Sequence, residues 1–223
     1  ANEYSYGKTG TVVPLRLEPY ASVIVAFGQS EALPPKRRAG KSPQLPPAVP
    51  VRAPWRLEID GASLQLDALH SWTEYDQFRF FSGSATYRAA FNLDRTYLAN
   101  QLGLMLHLGK VHEIADVEVN QRAAGVAWMV PYQLDISGYV QAGENQLVVK
   151  VTNLLINRVL GAPKPDTHAL LQKFAGKLAQ EGAARDLKFE QNREKDRVRE
   201  PLHSGLFGPV EIRPFWRDRT ALA

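Results

Sequence analysis

The sequence contains no cysteine, and this absence excludes disulfide bonds, thiol catalysis and zinc sites built on thiolates. It lacks an uninterrupted run of about 18 apolar residues, so no membrane-spanning helix is expected. It also lacks a recognisable N-terminal signal peptide. No HExxH spacing, G-x-S-x-G turn or Walker A loop is present. The sequence therefore shows no recognisable metal-ligand set, cofactor motif or nucleophilic catalytic set.

What is present is the composition of an ordinary globular protein. Of 223 residues, 44% are hydrophobic and 22% are charged, which suits one large β domain or a domain with an arm. The net charge of +4 is too small to indicate a nucleic-acid partner, because a solvated basic surface gives the same value. Nucleic acid is therefore not expected among the partners.

The first two segments of the chain, residues 1–30 and 31–54, differ in character from the rest. Alternating apolar residues predict two short strands in Thr11–Phe27. We interpret them as the terminal strands of a preceding β domain, because two strands alone rarely fold in water. Residues 31–54 hold seven prolines and predict an extended linker. Its basic cluster, Lys36–Arg38, either contacts an acidic partner or is simply solvated.

Short strands follow one another from residue 55 to residue 216. Apolar residues alternate in WRLEI, SLQLDAL, SGSATYRAAFNL, LGLMLHL, EIADVEV, AAGVAW, YQLDIS, NQLVVKVTN and LFGPVEIRPF. Turn residues separate these segments at intervals of roughly 8–12 residues, which is typical of an all-β sandwich or jelly roll. Apolar residues at helical spacing predict a helical insert at about residues 165–200, before the last strand. Residues 217–223 form a tail.

The stretch Gly109–Trp128, GKVHEIADVEVNQRAAGVAW, carries the densest group of polar candidates. Period-2 alternation predicts a strand with Ile114, Val117 and Val119 facing the core and Glu118 facing solvent. This interpretation leaves only the two ends of the stretch for a functional site, namely His112–Glu113 and Trp128.

A metal site is not expected in this stretch. His112 and Glu113 are adjacent, so on a strand their side chains point apart, and no further ligand stands at a metal-binding spacing. The sequence leaves a structural calcium site as an alternative, because carbonyl ligands leave no mark in a sequence.

Glycoside hydrolysis needs two carboxyl groups that face each other across the sugar bond, about 5–10 Å apart. The candidates are Glu74, Glu113, Asp116, Glu118 and Asp135. Lone carboxylates on strands usually face solvent, so no acid–base pair and no catalytic residue is predicted within this chain. A hydrolase in its own right is kept as an alternative.

Carbohydrate binding needs flat aromatic rings and a few hydrogen-bonding side chains, commonly on loops at one end of a sandwich. The candidate residues of such a carbohydrate-binding or domain-docking site are Trp72, Glu74, His112, Glu113, Trp128 and Tyr132. The alternative is that Trp72 and Trp128 pack at the rim of the core. If His112, Glu113 and Trp128 lie at one edge of the sandwich, they form part of a binding or docking surface.

Three stretches carry a resemblance to a known family: SWTEYDQFRFFSGSATYRAAFNL, LHLGKVHEIADVEVNQRAAGVAWMVPYQLDISGYVQAGENQLVVKVTNLLINRVLG and PLHSGLFGPVEI. Together they resemble the galactose-binding-like jelly roll at the C-terminus of bacterial α-L-rhamnosidases of glycoside hydrolase family 106. The part from VEVNQRAAGVAW to VKVTN is also similar to the sugar-binding domain of family 2 glycosidases. The chain differs from these families in having VNQRAAG where a VNG turn is usual, and in lacking a tryptophan after Asn153.

The resemblance implies a galactose-binding-like β-sandwich over residues 55–216, with the helical insert before its last strand. It implies a parent enzyme that degrades plant or bacterial polysaccharide in the periplasm or outside the cell. The catalytic carboxylates of such an enzyme lie on an upstream barrel. On this interpretation the chain is a non-catalytic carbohydrate-binding or structural accessory module, whose partners are carbohydrate, the upstream catalytic domain, or both. A stand-alone glycan-binding protein is the alternative.

Overall fold

The computed structural model describes residues 5–7, 10–12, 17, 22–24, 44–163 and 200–217. The strands run β1 Ser5–Gly7, β2 Gly10–Val12, β3 Val49–Pro50, β4 Trp55–Ile59, β5 Ala62–Leu66, β6 Ser84–Leu93, β7 Leu102–His107, β8 Lys110–His112, β9 Ile114–Val119, β10 Arg122–Ala127, β11 Gln133–Asp135, β12 Gly143–Thr152, β13 Gly205–Gly208 and β14 Glu211–Trp216. The helical elements are α1 Ile156–Gly161 and the 3-10 turns Trp72–Glu74, Asp76–Phe78 and Arg95–Leu98.

Two antiparallel sheets enclose one hydrophobic core. The larger sheet has the strand order β10-β9-β12-β6-β4-β5, and the smaller has the order β11-β7-β14-β3. Both sheets send fully buried residues into the same cluster, for example Tyr87 and Val149 from the larger and Leu106 and Ile212 from the smaller. This arrangement confirms the predicted all-β sandwich.

The longest pairing in the molecule joins β6 and β12 through ten residue pairs, from Ser84↔Thr152 to Leu93↔Gly143. On the other side of β12, Thr152 pairs with Ile114 of β9. The last pair between β9 and β10 is Ala115↔Ala127, which leaves Trp128 beside Ile114. We call this end of the sandwich, where Ser84, Thr152, Ile114 and Trp128 lie, the His112 end.

The predicted strand segments correspond to strands of the structure from β4 to β14, but four details differ. The prediction that Ile114 faces the core is wrong. Residues 114 and 117 are three positions apart, so they lie on opposite faces of a strand, and Ala115 is buried instead while Ile114 is 42% exposed. The short strand β8 was not predicted, and Pro209 divides the predicted last strand into β13 and β14. The sandwich also begins before residue 55, because β3 pairs with β14.

Several expectations fall on residues outside the described ranges. They are the helical insert at about residues 165–200, the basic cluster Lys36–Arg38, the tail, and most of the predicted strands in Thr11–Phe27. Within the N-terminal segment the structure describes the hairpin of β1 and β2.

The turn between β9 and β10 shows how the chain accommodates its departure from the VNG pattern. Asn120 and Gln121 both have positive φ, 51° and 63°, as a two-residue hairpin turn of the primed type requires. The Asn120 amide donates to the Tyr139 carbonyl at 2.9 Å and to the Asn145 side-chain oxygen at 2.8 Å. The hairpin therefore keeps its shape with glutamine where glycine is usual, and a bulge between Ala123 and Gly125 takes up the additional residue.

Loops at the His112 end are held by buried side-chain hydrogen bonds centred on Ser204. Its Oγ accepts from the amide nitrogens of Asn153 at 2.9 Å and Asn157 at 3.1 Å. Its backbone N–H donates to Ser71 Oγ at 3.0 Å. The Asn157 side chain also bonds both backbone groups of Leu202, each at 2.8 Å. We call these residues, Ser71, Asn153, Asn157, Leu202 and Ser204, the polar network.

The turn at Asn120 and Gln121 yields a stability prediction. Gln121→Gly should raise the free energy of unfolding by about 0.5–1 kcal/mol, because relief of the left-handed strain exceeds the entropy that glycine adds to the unfolded chain. Gly61, with a φ of 78° after Asp60 in the β4–β5 turn, provides the matched control. Gly61→Gln should lower the same quantity, measured by urea denaturation. A change of the same sign in both variants would contradict the explanation.

The polar network yields a second prediction. Ser204→Ala should lower the free energy of unfolding by about 2 kcal/mol, because it removes an acceptor from the buried amide of Asn157 and the partly buried amide of Asn153. The control is Ser84→Ala, whose hydroxyl pairs with Thr152 Oγ1 at an exposed site; this variant should stay within about 0.5 kcal/mol of the parent. Equal losses in the two variants would show that burial of the network does not matter.

Candidate functional site

The structure divides the six candidate residues into two groups. His112, Glu113, Trp128 and Tyr132 lie at the His112 end, and their proximity follows from the pairing of β9 with β10 and from the bond of Leu108 N–H to the Tyr132 carbonyl at 2.9 Å. The other two candidates, Trp72 and Glu74, lie in the turn Trp72–Glu74 and have structural contacts, described next.

Trp72 is fully buried, with 0% of its surface exposed, so its ring offers no face to a ligand. It packs edge-on against Phe81 with ring centroids 6.0 Å apart. Gly205 passes close above it, and a Cβ there would lie 3.1 Å from the indole and 2.4 Å from the Tyr87 hydroxyl. Burial raises the pKa of Tyr87 well above its usual range. This side of the β13 strand therefore belongs to the core.

Glu74 closes the turn that Ser71 begins. Its carboxylate accepts from the Ser71 N–H at 3.3 Å, while Ser71 Oγ accepts from the Thr73 N–H, also at 3.3 Å. The two bonds form a capping box, which satisfies backbone donors at the start of a helical turn. The contact is a structural one within the 71–74 segment.

His112 and Glu113 meet side by side, contrary to the expectation that they point apart. The His112 Nδ1 atom is 3.8 Å from the nearer carboxylate oxygen of Glu113. The expectation assumed one continuous strand. In the structure β8 ends at His112 and β9 begins at Ile114, so Glu113 lies in the bend between two strands, where period-2 alternation does not apply.

The electrostatics of this pair reflect burial. The Nε2 atom of His112 is buried and has no hydrogen-bond partner among the described residues. Burial lowers the pKa of His112, and the ammonium of Lys110 lowers it further, against an opposing effect of Glu113. Burial raises the pKa of Tyr132, and the charge of Glu113 raises it further. The neutral imidazole is therefore the favoured form near pH 7.

Three residues that were not candidates complete the surroundings of His112. The ring of Phe207 lies 5.1 Å from the imidazole, His203 lies 6.0 Å from that phenyl ring, and Lys110 Nζ lies 5.4 Å from its centroid. They were missed because their proximity depends on the pairing of β8 with β13, in which Gly205 stands opposite His112. The only signal in the sequence was the resemblance of PLHSGLFGPVEI. We call Lys110, His112, Glu113, His203 and Phe207 the Phe207 cluster.

The same end carries exposed apolar side chains. Trp128 is 67% exposed and Leu155 is 63% exposed, although large apolar side chains are usually buried against other apolar groups. We call the following set the apolar end surface: Ile114, Trp128, Met129, Val130, Leu154, Leu155, Ile156, Val159 and Leu202. Contiguous exposed apolar side chains on a soluble domain commonly mark an interaction surface.

The carboxylates considered for hydrolysis are not brought together. Glu74 caps a turn, and Asp135 accepts from the Ser137 N–H at 2.9 Å. Asp116 and Glu118 project from the outer face of β9. Glu113 alone lies at the His112 end near other polar side chains. In the ranges that the structure describes, no group of three or more His, Asp or Glu is arranged to hold a metal ion, and no helix has the length and hydrophobicity needed to cross a membrane.

Comparison with known proteins relates the chain to glycoside hydrolases. No family model matches it. A putative beta-glucuronidase of Formosa agariphila is 34% identical over 158 residues, which is 67% of this chain and 14% of that protein. The solved structure of a rhamnosidase from Novosphingobium sp. PP1Y is 26% identical, with a TM-score of 0.63 over 95% of this chain and 19% of that one. The chain thus spans less than one fifth of the length of these two relatives, and it is related to a part of each.

Proposed function

We propose that the chain is a non-catalytic accessory module of a larger glycoside hydrolase, resembling an α-L-rhamnosidase, and that its apolar end surface docks against the rest of that enzyme. The observation that carries the proposal is the exposure of Trp128, Leu155 and their neighbours at one end of the sandwich. Side chains of this kind are commonly buried in a permanent interface.

The lengths of the relatives support the same conclusion. The chain matches 19% of the rhamnosidase and 14% of the putative beta-glucuronidase, so most of each relative lies in other domains. Of the five carboxylates considered for hydrolysis, Glu74 and Asp135 bond backbone N–H groups in turns, Asp116 and Glu118 lie on the outer sheet face, and Glu113 has none of the other four beside it. This fits a catalytic pair located elsewhere. The parent enzyme would then act on polysaccharide in the periplasm or outside the cell.

Carbohydrate binding is a second candidate function, favoured by the Phe207 cluster. Imidazole and ammonium groups flank a partly exposed aromatic ring there, and the Glu113 carboxylate lies beside the His112 imidazole. An aromatic ring with flanking polar groups suits a sugar. The two functions do not compete for the same residues, because the cluster and the apolar end surface share no side chain.

Assay of the isolated 223-residue chain tests the non-catalytic role. It should release no nitrophenol from p-nitrophenyl α-L-rhamnoside or β-glucuronide beyond the buffer rate, whereas the full-length parent should be active on one of its substrates. Hydrolysis by the isolated chain that disappears in Glu113→Gln would establish the alternative, a hydrolase in its own right.

Docking is tested by producing the remainder of the parent polypeptide as a separate chain and measuring its association by calorimetry. The double variant Trp128→Ser with Leu155→Ser should weaken association by at least about 2 kcal/mol, roughly 30-fold, as expected when interface anchors are truncated. Leu45 is also exposed. It lies close in sequence to Pro47, whose carbonyl accepts a hydrogen bond from the Tyr97 hydroxyl, and this contact is away from the His112 end. Leu45→Ser should therefore have no effect, and an equal loss would contradict docking at the apolar end surface.

A further inference from the structure

Phe207 stands at the centre of the Phe207 cluster. Its ring is partly exposed on β13. His112 meets it edge to face from the adjacent strand, at an interplanar angle of 63°, and His203 meets it at 85°. The Nζ atom of Lys110 lies over the ring, 5.4 Å from its centroid. Two imidazole rings and one ammonium group thus surround the phenyl ring.

The charges of the cluster are unevenly balanced. Lys110 is exposed and forms no ion pair with any described residue, unlike Arg56, Arg88 and Arg213, which each contact a carboxylate. Glu113 is the one carboxylate of the cluster, and its contact is with His112 at 3.8 Å. Among the residues that the structure describes, no carboxylate compensates the ammonium of Lys110 beside the aromatic ring.

An aromatic ring beside an unpaired cation has a specific chemical preference. The ring packs against the C–H face of a sugar, and the ammonium forms a charge-assisted hydrogen bond with an anionic substituent. The Lys110 stem is long and exposed, so its ammonium can turn from the ring to an anion while the ring stays in place.

We propose that Phe207, Lys110 and His203 form a subsite for a sugar unit that bears an anionic group, either a carboxylate or a sulfate ester. His112 is a positioning residue, because its partly buried imidazole packs against the Phe207 ring with centroids 5.1 Å apart. The inference rests on the proposed function only in taking the ligand to be part of a polysaccharide. It does not depend on docking through the apolar end surface, since it uses other side chains.

Titration of the 223-residue chain with three matched monosaccharides tests the subsite. Glucose, glucuronate and glucose 6-sulfate share one ring and differ in the substituent at a single carbon atom. Binding is followed by the NMR shifts of the Lys110, His203 and Phe207 amides. Glucuronate or glucose 6-sulfate should bind at least tenfold more tightly than glucose, as expected for one charge-assisted hydrogen bond. The comparison of the two anionic sugars distinguishes the carboxylate from the sulfate source.

Variants assign the effect to the cluster. Lys110→Met keeps the length of the side chain and removes its charge, so it should weaken binding of the preferred anionic sugar about tenfold and leave glucose unchanged. Phe207→Leu should weaken all three sugars by a similar factor, because it removes the ring. Lys150→Met, at an exposed position of β12, is the control and should bind as the parent does.

The proposal would be overturned by equal affinity for glucose and both anionic sugars, by unchanged anion binding in Lys110→Met, or by binding of inorganic sulfate as tight as that of glucose 6-sulfate. The result is separable from the docking experiment. Selective sugar binding by a chain that fails to associate with the remainder of the enzyme would uphold the subsite and overturn the docking surface.

Discussion

The ten-residue pairing of β6 with β12 is the constraint on which the rest of the structure depends. It forms the centre of the larger sheet, with β4 attached on one side and β9 on the other. Because β9 is in register with β12, Ile114 has a fixed position opposite Thr152, and the hairpin to β10 then returns Trp128 to the same end. The apolar end surface and Glu113 thus owe their proximity to strand register rather than to any local motif.

Beyond the last residue pair of β6 and β12, hydrogen bonds from side chains, rather than those of the sheet, hold the chain in place. Asn153 follows β12 directly, and its amide bonds the Gly83 N–H at 2.9 Å and the Phe81 carbonyl at 3.0 Å. Ser204 links the same asparagine to Asn157. A loop that leaves a sheet must satisfy its backbone groups with some other partner, and the polar network provides it. The loops at the His112 end are therefore held by buried bonds, which suits a surface that must present fixed groups to a partner.

The fold was largely predictable from the sequence and the site only partly. Strand segments follow from alternation, because one face of each strand is buried and the pattern has a period of two. Trp128 and Glu113 could be named for the same reason, as residues at strand ends. Alternation does not say which strands pair, however, and the contact of Phe207 with His112 arises from the pairing of two strands that are far apart in the sequence. The sequence leaves Trp72 open between a binding site and the rim of the core, because its burial depends on residues distant in sequence, such as Gly205, that leave no local signal.

The positions of the two surfaces bear on how the proposed module would work. Glu113 precedes β9 and Trp128 follows β10, and these two strands pair, so the apolar end surface begins next to the Phe207 cluster. A partner that covered the apolar side chains would leave the cluster at the rim of the interface, where ligand sites commonly occur between domains. Desolvation by such a partner would strengthen the interaction of Lys110 with an anionic group, because exposed charges are screened by water and salt. Docking and sugar recognition would then reinforce each other at the same end of the sandwich.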